Sequence, residues 1–323
     1  MKIAILGTGA YGLALATMFY ENNCSISMWS KFESEIKELQ KTRKSNLLDV
    51  KIPKNITFTS DMEECIKDAS LIVIAVPAQF VDDICLALKK IIKKEQHICI
   101  ASKGIEKDTC LFVSDVLEKH IKTKNLAVIS GPSFAIDIAN KVPIGLSLGT
   151  KNKTTEGILK QTLQNDYLKL RTTDDIIGIE ICGSIKNVIA IASGMLAGMG
   201  LPESTQAMFI TESLHDIKEL IKILGGNKQT ILSFAGFGDL LLTCTSTKSR
   251  NFTFGKMIGE HKSKEEIDSY IKNTTIEGLH TLESIYDLLN RKKATIPIID
   301  MIYDIIFENE KPEVLKKFLI TKD

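Results

Sequence analysis

An apolar run followed at once by a glycine-rich turn, at the very start of the chain, most constrains the possible fold. The run Ile3–Leu6 is followed by Gly7-Thr8-Gly9-Ala10-Tyr11-Gly12, which fits G-x-G-x-x-G and opens a helical segment. Three glycines at this spacing also occur by chance, so the strand before them and the helix after them carry the argument. Free backbone N–H groups and the helix dipole favour a pyrophosphate there. The alternative is a tight strand–helix turn without a ligand.

The first half of the chain alternates short apolar runs with amphipathic segments. The apolar runs are Ile3–Leu6, Ser25–Trp29, Leu71–Val76, Ile98–Ala101 and Leu126–Ser130. The amphipathic segments are Leu13–Tyr20, Glu33–Gln40, Val81–Ile92 and Leu111–His120. Strands that are apolar on both faces and alternate with helices predict an α/β fold, a doubly wound parallel sheet covered by helices. The runs Ile144–Leu148 and Tyr167–Arg171 are predicted to extend its edge.

From about Asp174 the pattern changes to helical periodicity with few strand signals. The predicted helices are Ile176–Leu196, Ser204–Leu224, Ser263–Lys272, Leu279–Leu289 and Pro297–Phe307. A length of 323 residues fits about two domains. The sequence therefore predicts a Rossmann-type dinucleotide-binding domain over residues 1–175 and an all-helical substrate domain over residues 176–323.

Charge and cysteine usage exclude several classes of protein. The 41 Lys and Arg residues nearly balance the 40 Asp and Glu residues, so neither a nucleic acid partner nor an anionic membrane is indicated. No apolar run approaches the roughly 20 residues that span a bilayer, so no membrane insertion is expected. Seven cysteines without a CxxC pair and five unclustered histidines predict no metal site. Scattered free thiols indicate a reducing cytoplasm.

The end of the second apolar run bears on the choice of cofactor. An acidic residue that would bond the ribose of NAD is expected there, but the chain reads Trp29-Ser30-Lys31-Phe32-Glu33. Lys31 can attract a 2′-phosphate, so we expect NADPH to be accepted, whether or not NADH is used. The alternatives are that Lys31 is an ordinary exposed lysine, or that the late Glu33 reaches the ribose and excludes NADPH.

Two loops follow strands at the predicted carboxyl edge of the sheet, where ligands of such sheets bind. Lys103 follows the fourth apolar run, and Gly131-Pro132-Ser133-Phe134-Ala135 follows the fifth and can begin a helix. Each is alternatively only a turn, but their occurrence at one edge favours a site.

Lys186 lies in the run Gly183–Ala192, which has apolar residues on nearly every side and predicts a largely buried helix. A buried lysine is costly unless it is paired or neutral, and desolvation lowers its pKa toward the range of proton transfer. The alternative is a lysine that extends its ammonium group to solvent from a helix edge.

The richest segment of the second half runs from Phe234 to Asn251. Asp239 stands between a glycine and three leucines, which predicts a buried carboxylate with a cationic partner. The chain has only four arginines against 37 lysines. Arg250 beside Ser249 and Asn251 therefore suggests bidentate recognition of a phosphate, the alternative being a loop arginine at a helix start.

These residues together resemble the soluble bacterial type of NAD(P)-dependent glycerol-3-phosphate dehydrogenase over essentially the full length. The matching pieces, in family order, are GTGAYG at 7–12, ASKGIE at 101–106, GPSFA at 131–135, IKNVIAIASG at 185–194, AGFGDLLLTCTSTKSRNFTFG at 235–255 and IEG at 276–278. Each piece is modestly specific, whereas six in order are very specific.

The resemblance implies reversible NAD(P)H-dependent reduction of dihydroxyacetone phosphate to sn-glycerol 3-phosphate, the backbone precursor of phospholipids. It implies the catalytic residues Lys186, Lys103 and Asp239, with Thr243 nearby. It implies a substrate site of Lys103, Gly131, Ser133, Lys186, Asp239, Ser249, Arg250 and Asn251. It implies cofactor contacts at Gly7, Gly9, Ala10, Tyr11, Gly12, Lys31, Lys103, Ala135, Arg250, Thr275 and Glu277.

Some features depart from the family pattern or stay open. Tyr11 replaces a common tryptophan, Leu201–Thr205 replaces a glycine-rich turn, and Glu212 stands where arginine is common. Two other functions are alternatives to glycerol-3-phosphate dehydrogenase activity. A 3-hydroxyacid dehydrogenase or ketopantoate reductase should lack the Ser249-Arg250-Asn251 cluster. A nucleotide-sensing module without turnover has no reason to keep Lys186, Lys103 and Asp239. A homodimer and the preference between NADH and NADPH stay open.

Overall fold

The computed structural model describes residues 1–48, 50–107 and 109–322. The chain divides into two compact units, here called the sheet unit (Met1–Lys103 and Val113–Ile176) and the helical unit (Gly104–Phe112 and Ile177–Asp323). The segment after Lys103 therefore belongs to the helical unit, although it lies within the first half of the chain. The domain boundary at residues 175 and 176 stays a prediction, because a compact unit is not by itself an independently folding one.

The sheet unit contains one eight-stranded sheet with the strand order β3-β2-β1-β4-β5-β6-β7-β8. The strands are β1 Lys2–Leu6, β2 Ser25–Trp29, β3 Thr57–Thr59, β4 Leu71–Ile74, β5 His97–Ile100, β6 Leu126–Ser130, β7 Ile144–Gly149 and β8 Leu168–Thr173. Neighbouring strands are parallel except β6 and β7, which are antiparallel. The predicted α/β class and doubly wound sheet are confirmed. Because β2 and β4 flank β1, the order reverses at β1, where ligands of such sheets bind.

The helices of the sheet unit cover strands that are apolar on both faces. They are α1 Ala10–Glu21, α2 Glu33–Thr42, α3 Met62–Ile66, α4 Val81–Leu88, α5 Val113–His120, α6 Ala135–Ala139 and α7 Lys153–Leu163, with a 3₁₀ turn at Ala78–Phe80. Ile3, Ile5 and Val73 of the sheet and Phe19 of α1 are fully buried in this core. All seven cysteines of the chain are buried free thiols.

The helical unit begins with the apolar helix α8, Ile176–Gly198. It continues with α9 Glu203–Ile223, α10 Asp239–Thr245, α11 Arg250–Gly259, α12 Lys264–Asn273, α13 Glu277–Lys292, α14 Pro297–Phe307 and α15 Val314–Thr321. A 3₁₀ turn at Lys228–Leu232 and a π-helical turn at Phe234–Gly238 precede α10.

Helix α8 corrects the expectation that no apolar segment of the chain is long enough to span a bilayer. Among the described residues it is the one helix long and apolar enough to cross a membrane by length and composition. However, 83% of its most apolar window is buried inside the structure. A core helix of a soluble protein has these same properties, because a helix that is apolar all round must be covered.

Glycines let α8 and α11 approach closely. A Cβ atom at Gly194 or Gly198 of α8 would stand 2.0 or 2.2 Å from carbonyl oxygens of α11. A Cβ atom at Gly255 or Gly259 of α11 would stand 1.8 or 2.1 Å from carbonyl oxygens of α8. The two helices therefore cross backbone to backbone, and their contact leaves no room for a side chain.

Glu212, which departs from the family pattern, helps to hold the end of the chain. The Lys322 ammonium group lies 2.7 Å from Asp216 Oδ1 and 3.5 Å from Glu212 Oε2. Asp216 Oδ2 also accepts a hydrogen bond from the backbone N–H of Ile298 in the first turn of α14. One buried carboxylate thus connects α9, α14 and the residue that follows α15.

Candidate active site

The glycine-rich turn between β1 and α1 has different steric requirements at each glycine. Gly7 has φ +121°, and a Cβ there would lie 2.6 Å from the carbonyl oxygen of Ala75. A Cβ at Gly12 would lie 2.4 Å from the carbonyl oxygen of Gly7. Gly9, by contrast, has no atom within 4 Å of its Cβ position. Gly7 and Gly12 are therefore required by the close packing of the turn, whereas Gly9 leaves open space beside the start of α1.

The start of α1 suits an anion. Gly9 is the N-cap and has no side chain that could satisfy the first backbone N–H groups, and the first turn contains no acidic residue. The N–H groups of a helix start carry partial positive charge. The open approach at Gly9 lets a pyrophosphate reach them, so these residues fit the diphosphate of a dinucleotide.

The two carboxylates that follow Lys31 after the end of β2 both have partners other than Lys31. Ser30 Oγ donates a hydrogen bond of 2.6 Å to Glu35 Oε2. Glu33 instead forms an exposed ion pair of 3.2 Å with Lys37, one turn along α2. Lys31 Nζ lies 4.6 Å from the ring centre of Phe80, in the loop after β4. The exposed ammonium group is thus held beside an aromatic ring, with Glu33 paired elsewhere.

Three loops at the carboxyl edge of the sheet meet through Tyr11. The Tyr11 hydroxyl lies 3.2 Å from Ser133 Oγ, which donates to the carbonyl oxygen of Gly131. Lys103 Nζ lies 5.9 Å from the centre of the Tyr11 ring, within reach of a cation–π interaction. The structure therefore brings Tyr11, Lys103, Gly131 and Ser133 together, and Ala135 begins α6 just beyond them.

In the helical unit, Lys186 of α8 is joined to α10. Its Nζ donates hydrogen bonds of 2.6 Å to Asp239 Oδ1 and 3.2 Å to Thr243 Oγ1. The side chains of Lys186 and Asp239 are only 11% and 2% exposed. The buried carboxylate expected from the sequence thus has its cation. A buried ammonium group that is positioned in this way is a proton donor with a defined direction.

A π-helical turn directly precedes Asp239. The turn Phe234–Gly238 contains Gly236 at φ −83° and ψ −106°, outside helical geometry. A Cβ at Gly236 would lie 2.2 Å from the carbonyl oxygen of Ile231. Asp239 then follows as the first residue of α10. Such turns are frequent at functional sites, because they change the direction in which the next side chains project.

The cluster predicted to bind phosphate forms the start of α11. Ser249 is its N-cap and accepts from the backbone N–H of Phe252. Asn251 Oδ1 accepts from the backbone N–H of Gly278, which leaves the amide Nδ2 as a donor. The Arg250 guanidinium, 53% exposed, is 3.8 Å from Glu277 Oε1. A cation and two further donors therefore surround one helix N-terminus, which is a favourable arrangement for a phosphate.

Glu277, the first residue of α13, contacts both α8 and the start of α11. Its Oε2 accepts a hydrogen bond of 3.1 Å from Asn187 Nδ2, next to Lys186. Its Oε1 faces Arg250 at 3.8 Å. Thr275 is exposed and lies between α12 and α13, two residues before Glu277. The structure thus connects the helix of Lys186 to Arg250 through one carboxylate.

Comparison with known proteins decides the family. Profiles described as the N-terminus and C-terminus of NAD-dependent glycerol-3-phosphate dehydrogenase match residues 2–156 and 175–317. The chain belongs to this family. A Staphylococcus aureus (strain USA300 / TCH1516) protein named glycerol-3-phosphate dehydrogenase (NAD(P)+) is 36% identical over 328 residues, which cover 100% of this chain and 98% of that one.

Solved structures of this dehydrogenase family have the same fold. A crystal structure of glycerol-3-phosphate dehydrogenase from Coxiella burnetii has a TM-score of 0.92 at 30% identity and covers 99% of each chain. The glycerol-3-phosphate dehydrogenase of Plasmodium falciparum has a TM-score of 0.90 at 24% identity, covering 100% of this chain and 96% of that one, and shows the fold alone. The resemblance read from the sequence is therefore confirmed at the level of the family.

For this member of the glycerol-3-phosphate dehydrogenase family, sequence reasoning missed two polar partners. Asn187, which is buried and bonded to Glu277, directly follows Lys186, so its position in the same apolar run was an available signal. The Tyr270 hydroxyl donates to the carbonyl oxygen of Arg250 across 20 residues. No local sequence pattern predicts this hydrogen bond, because it depends on how α12 packs on α11.

Proposed function

We propose that the chain is an NAD(P)-dependent oxidoreductase that reversibly reduces dihydroxyacetone phosphate to sn-glycerol 3-phosphate. The observation that carries the proposal is the family match, which covers most of the sheet unit and most of the helical unit. NAD(P)H supplies a hydride when bound, and the reaction also consumes one proton. The substrate is a phosphorylated small molecule, and its product is a precursor of phospholipids.

Lys186 is proposed as the acid that serves the substrate oxygen. Negative charge develops on that oxygen as the carbonyl carbon is reduced, and an ammonium group in contact with it stabilises the charge and supplies the proton. Asp239 and Thr243 hold the ammonium group by hydrogen bonds of 2.6 and 3.2 Å. In the reverse direction the same group accepts the proton. Lys103 is proposed as a second cation of the substrate site.

Arg250, Ser249 and Asn251 are proposed to hold the substrate phosphate, with Gly131 and Ser133 also contacting the substrate. A phosphate anchor lets binding energy from a group that does not react orient the three-carbon unit. The proposed cofactor contacts are Gly7, Gly9, Ala10, Tyr11, Gly12, Lys31, Lys103, Ala135, Arg250, Thr275 and Glu277.

The proposed reaction is tested by absorbance at the reduced-nicotinamide band. We expect dihydroxyacetone phosphate to oxidise NADPH, with NADH assayed separately. Unphosphorylated dihydroxyacetone should be a far poorer substrate, because it lacks the group that the start of α11 binds. Failure to oxidise either cofactor with dihydroxyacetone phosphate would contradict the proposed function.

Arg250→Lys should impair catalysis with dihydroxyacetone phosphate far more than with dihydroxyacetone. Lysine keeps the charge but loses the planar fork that binds two phosphate oxygens. Steady-state kcat/KM for both substrates measures the difference. Arg291→Lys on α13 is the matched control and should leave both values unchanged. Equal impairment on the two substrates would show that Arg250 acts elsewhere, for instance only on the cofactor.

Lys31→Ala should weaken NADPH by about 0.5–2 kcal/mol and leave NADH almost unchanged. The ammonium group is exposed at the end of β2, and the nearby Glu33 is paired with Lys37. Titration of each cofactor on the wild type and the variant measures the effect, with Lys41→Ala, at an exposed lysine near the end of α2, as the matched control. A wild type that uses NADH alone, or a variant weakened equally for both cofactors, would refute this role of Lys31.

The same proposal covers location and assembly. A cytoplasmic location fits seven buried free thiols and a reaction that uses a nicotinamide cofactor. A homodimer stays a proposal, and it is tested by the molar mass of the purified protein in solution. We propose no nucleic acid partner.

A further inference from the structure

The amino edge of the sheet, opposite the glycine-rich turn, collects lysines that the net charge of the whole chain hides. Three loops at this edge precede β5, precede β6 and follow β7, and β7 runs antiparallel to β6. Within residues 89–95, 122–125 and 150–153 the chain carries eight lysines and one acidic residue, Glu95. The eight lysines, all exposed, are Lys89, Lys90, Lys93, Lys94, Lys122, Lys124, Lys151 and Lys153. We call these three segments the basic face.

Asparagine side chains hold the three loops together. Asn125 Nδ2 donates to the carbonyl oxygens of Lys94 and Gln96 at 3.2 and 3.5 Å. Asn152 Nδ2 donates to Asn125 Oδ1 at 3.0 Å. The lysines next to these residues in sequence are therefore neighbours in space, and the basic face is one surface of the sheet unit.

The charge of the basic face is only partly offset by nearby carboxylates. Lys93 is 4.0 Å from Asp68, and Lys153 is 2.8 Å from Glu156, which also binds Lys160. Asp174 and Asp175 follow β8 at the same edge. With Glu95 of the face itself, these nearby residues give five carboxylates against the eight lysines. Because the whole chain has a net charge of only +1, the remaining residues are net negative.

The composition of the basic face selects among anionic partners. Its three segments contain no arginine, tyrosine, tryptophan, phenylalanine or methionine. Protein interfaces depend on aromatic and arginine anchors and are depleted in lysine. Single-stranded nucleic acid is held by aromatic stacking, and base recognition favours arginine. Flexible lysines alone match a partner whose charge is spread over a surface rather than fixed in a pattern.

We propose that the basic face binds the surface of an anionic lipid bilayer peripherally. A lysine near an anionic leaflet strengthens binding about fivefold, the equivalent of about 1 kcal/mol, through long-range attraction that salt screens. The net negative remainder of the chain is repelled by the same surface. The molecule therefore binds through the amino edge of the sheet, and the opposite edge, with its glycine-rich turn, faces away from the lipid.

The test is sedimentation of the full chain with vesicles of phosphatidylcholine containing phosphatidylglycerol, at low salt and at 0.5 M NaCl (about a 4 Å screening length). The loss variant carries Lys94→Gln, Lys122→Gln, Lys124→Gln and Lys151→Gln, which spares the lysines paired with Asp68 and Glu156. The matched control carries Lys218→Gln, Lys264→Gln, Lys272→Gln and Lys316→Gln, exposed lysines of the helical unit with the same total charge change.

We expect the wild type and the control to bind the anionic vesicles at low salt and to be released at high salt. The loss variant should bind at least about 10²-fold more weakly with unchanged turnover. Absence of binding by the wild type, equal binding to pure phosphatidylcholine, or an equal loss in the control would overturn the proposal. Retention on immobilised polyglutamate without binding to vesicles would also overturn it and indicate an acidic protein partner.

Discussion

Replacing Lys186 by methionine should lower turnover of dihydroxyacetone phosphate at least about 10²-fold, the low end for a positioned acid–base group. Methionine approximates the volume of the lysine stem, so the packing of α8 should survive. The ammonium group, however, is the donor 2.6 Å from the buried Asp239 carboxylate. The variant removes both the proton donor and that hydrogen bond, and the two effects have to be separated.

A second variant separates them. Lys186→Met combined with Asp239→Asn removes the carboxylate charge together with its cation. We expect the double variant to recover part of the free energy of unfolding that the single variant loses and to stay equally inactive. Lys218→Met, on an exposed lysine of α9, is the control for the same change elsewhere. Near-normal turnover in a folded Lys186→Met protein would falsify the assignment of Lys186 as the acid.

Most of the sheet could be predicted because parallel strands that are buried on both faces appear as continuous apolar runs. The runs at Ser25–Trp29 and Leu126–Ser130 match β2 and β6 to the residue. The strand β3, Thr57–Thr59, was missed because three residues with two threonines give no apolar run. Helix α7 was missed as well, although Asn152 caps it by accepting from the N–H groups of Thr154 and Thr155.

The site could be predicted in its residue types but not in its connections. Burial of Asp239 among leucines correctly implied a cation, and the structure supplies it from Lys186, 53 residues earlier. The bridge from Asn187 through Glu277 to Arg250 joins three helices that are distant in sequence. A single sequence carries no signal for such a contact, because it depends on how the helices pack. The roles of these residues in catalysis remain predictions.

Replacing Gly255 by alanine should strongly lower the free energy of unfolding, because Gly255 lies where α8 and α11 cross. The added Cβ would stand 1.8 Å from the carbonyl oxygen of Ile191 and 2.7 Å from its carbon. Both partners are helix backbone, so the clash cannot be relieved by rotating a side chain. The helices must separate by more than about 1 Å, which exposes or loosens the buried residues around them. We expect a loss of at least about 3 kcal/mol in the free energy of unfolding, the upper end for overpacking.

The same substitution at Gly157 should have the opposite sign. Gly157 lies inside α7 on the exposed side, and no atom lies within 4 Å of its Cβ position. Alanine there should stabilise the protein by about 0.5–1 kcal/mol, because glycine has more conformational freedom to lose in a helix. Denaturant unfolding of both variants gives the comparison. Two changes of one methyl group each, both in helices, differ only in what surrounds them. A Gly255→Ala protein as stable as the wild type would mean that the backbones of α8 and α11 are not in contact. The positions of Arg250 and Asn251 relative to Lys186 depend on that contact and would then also be wrong.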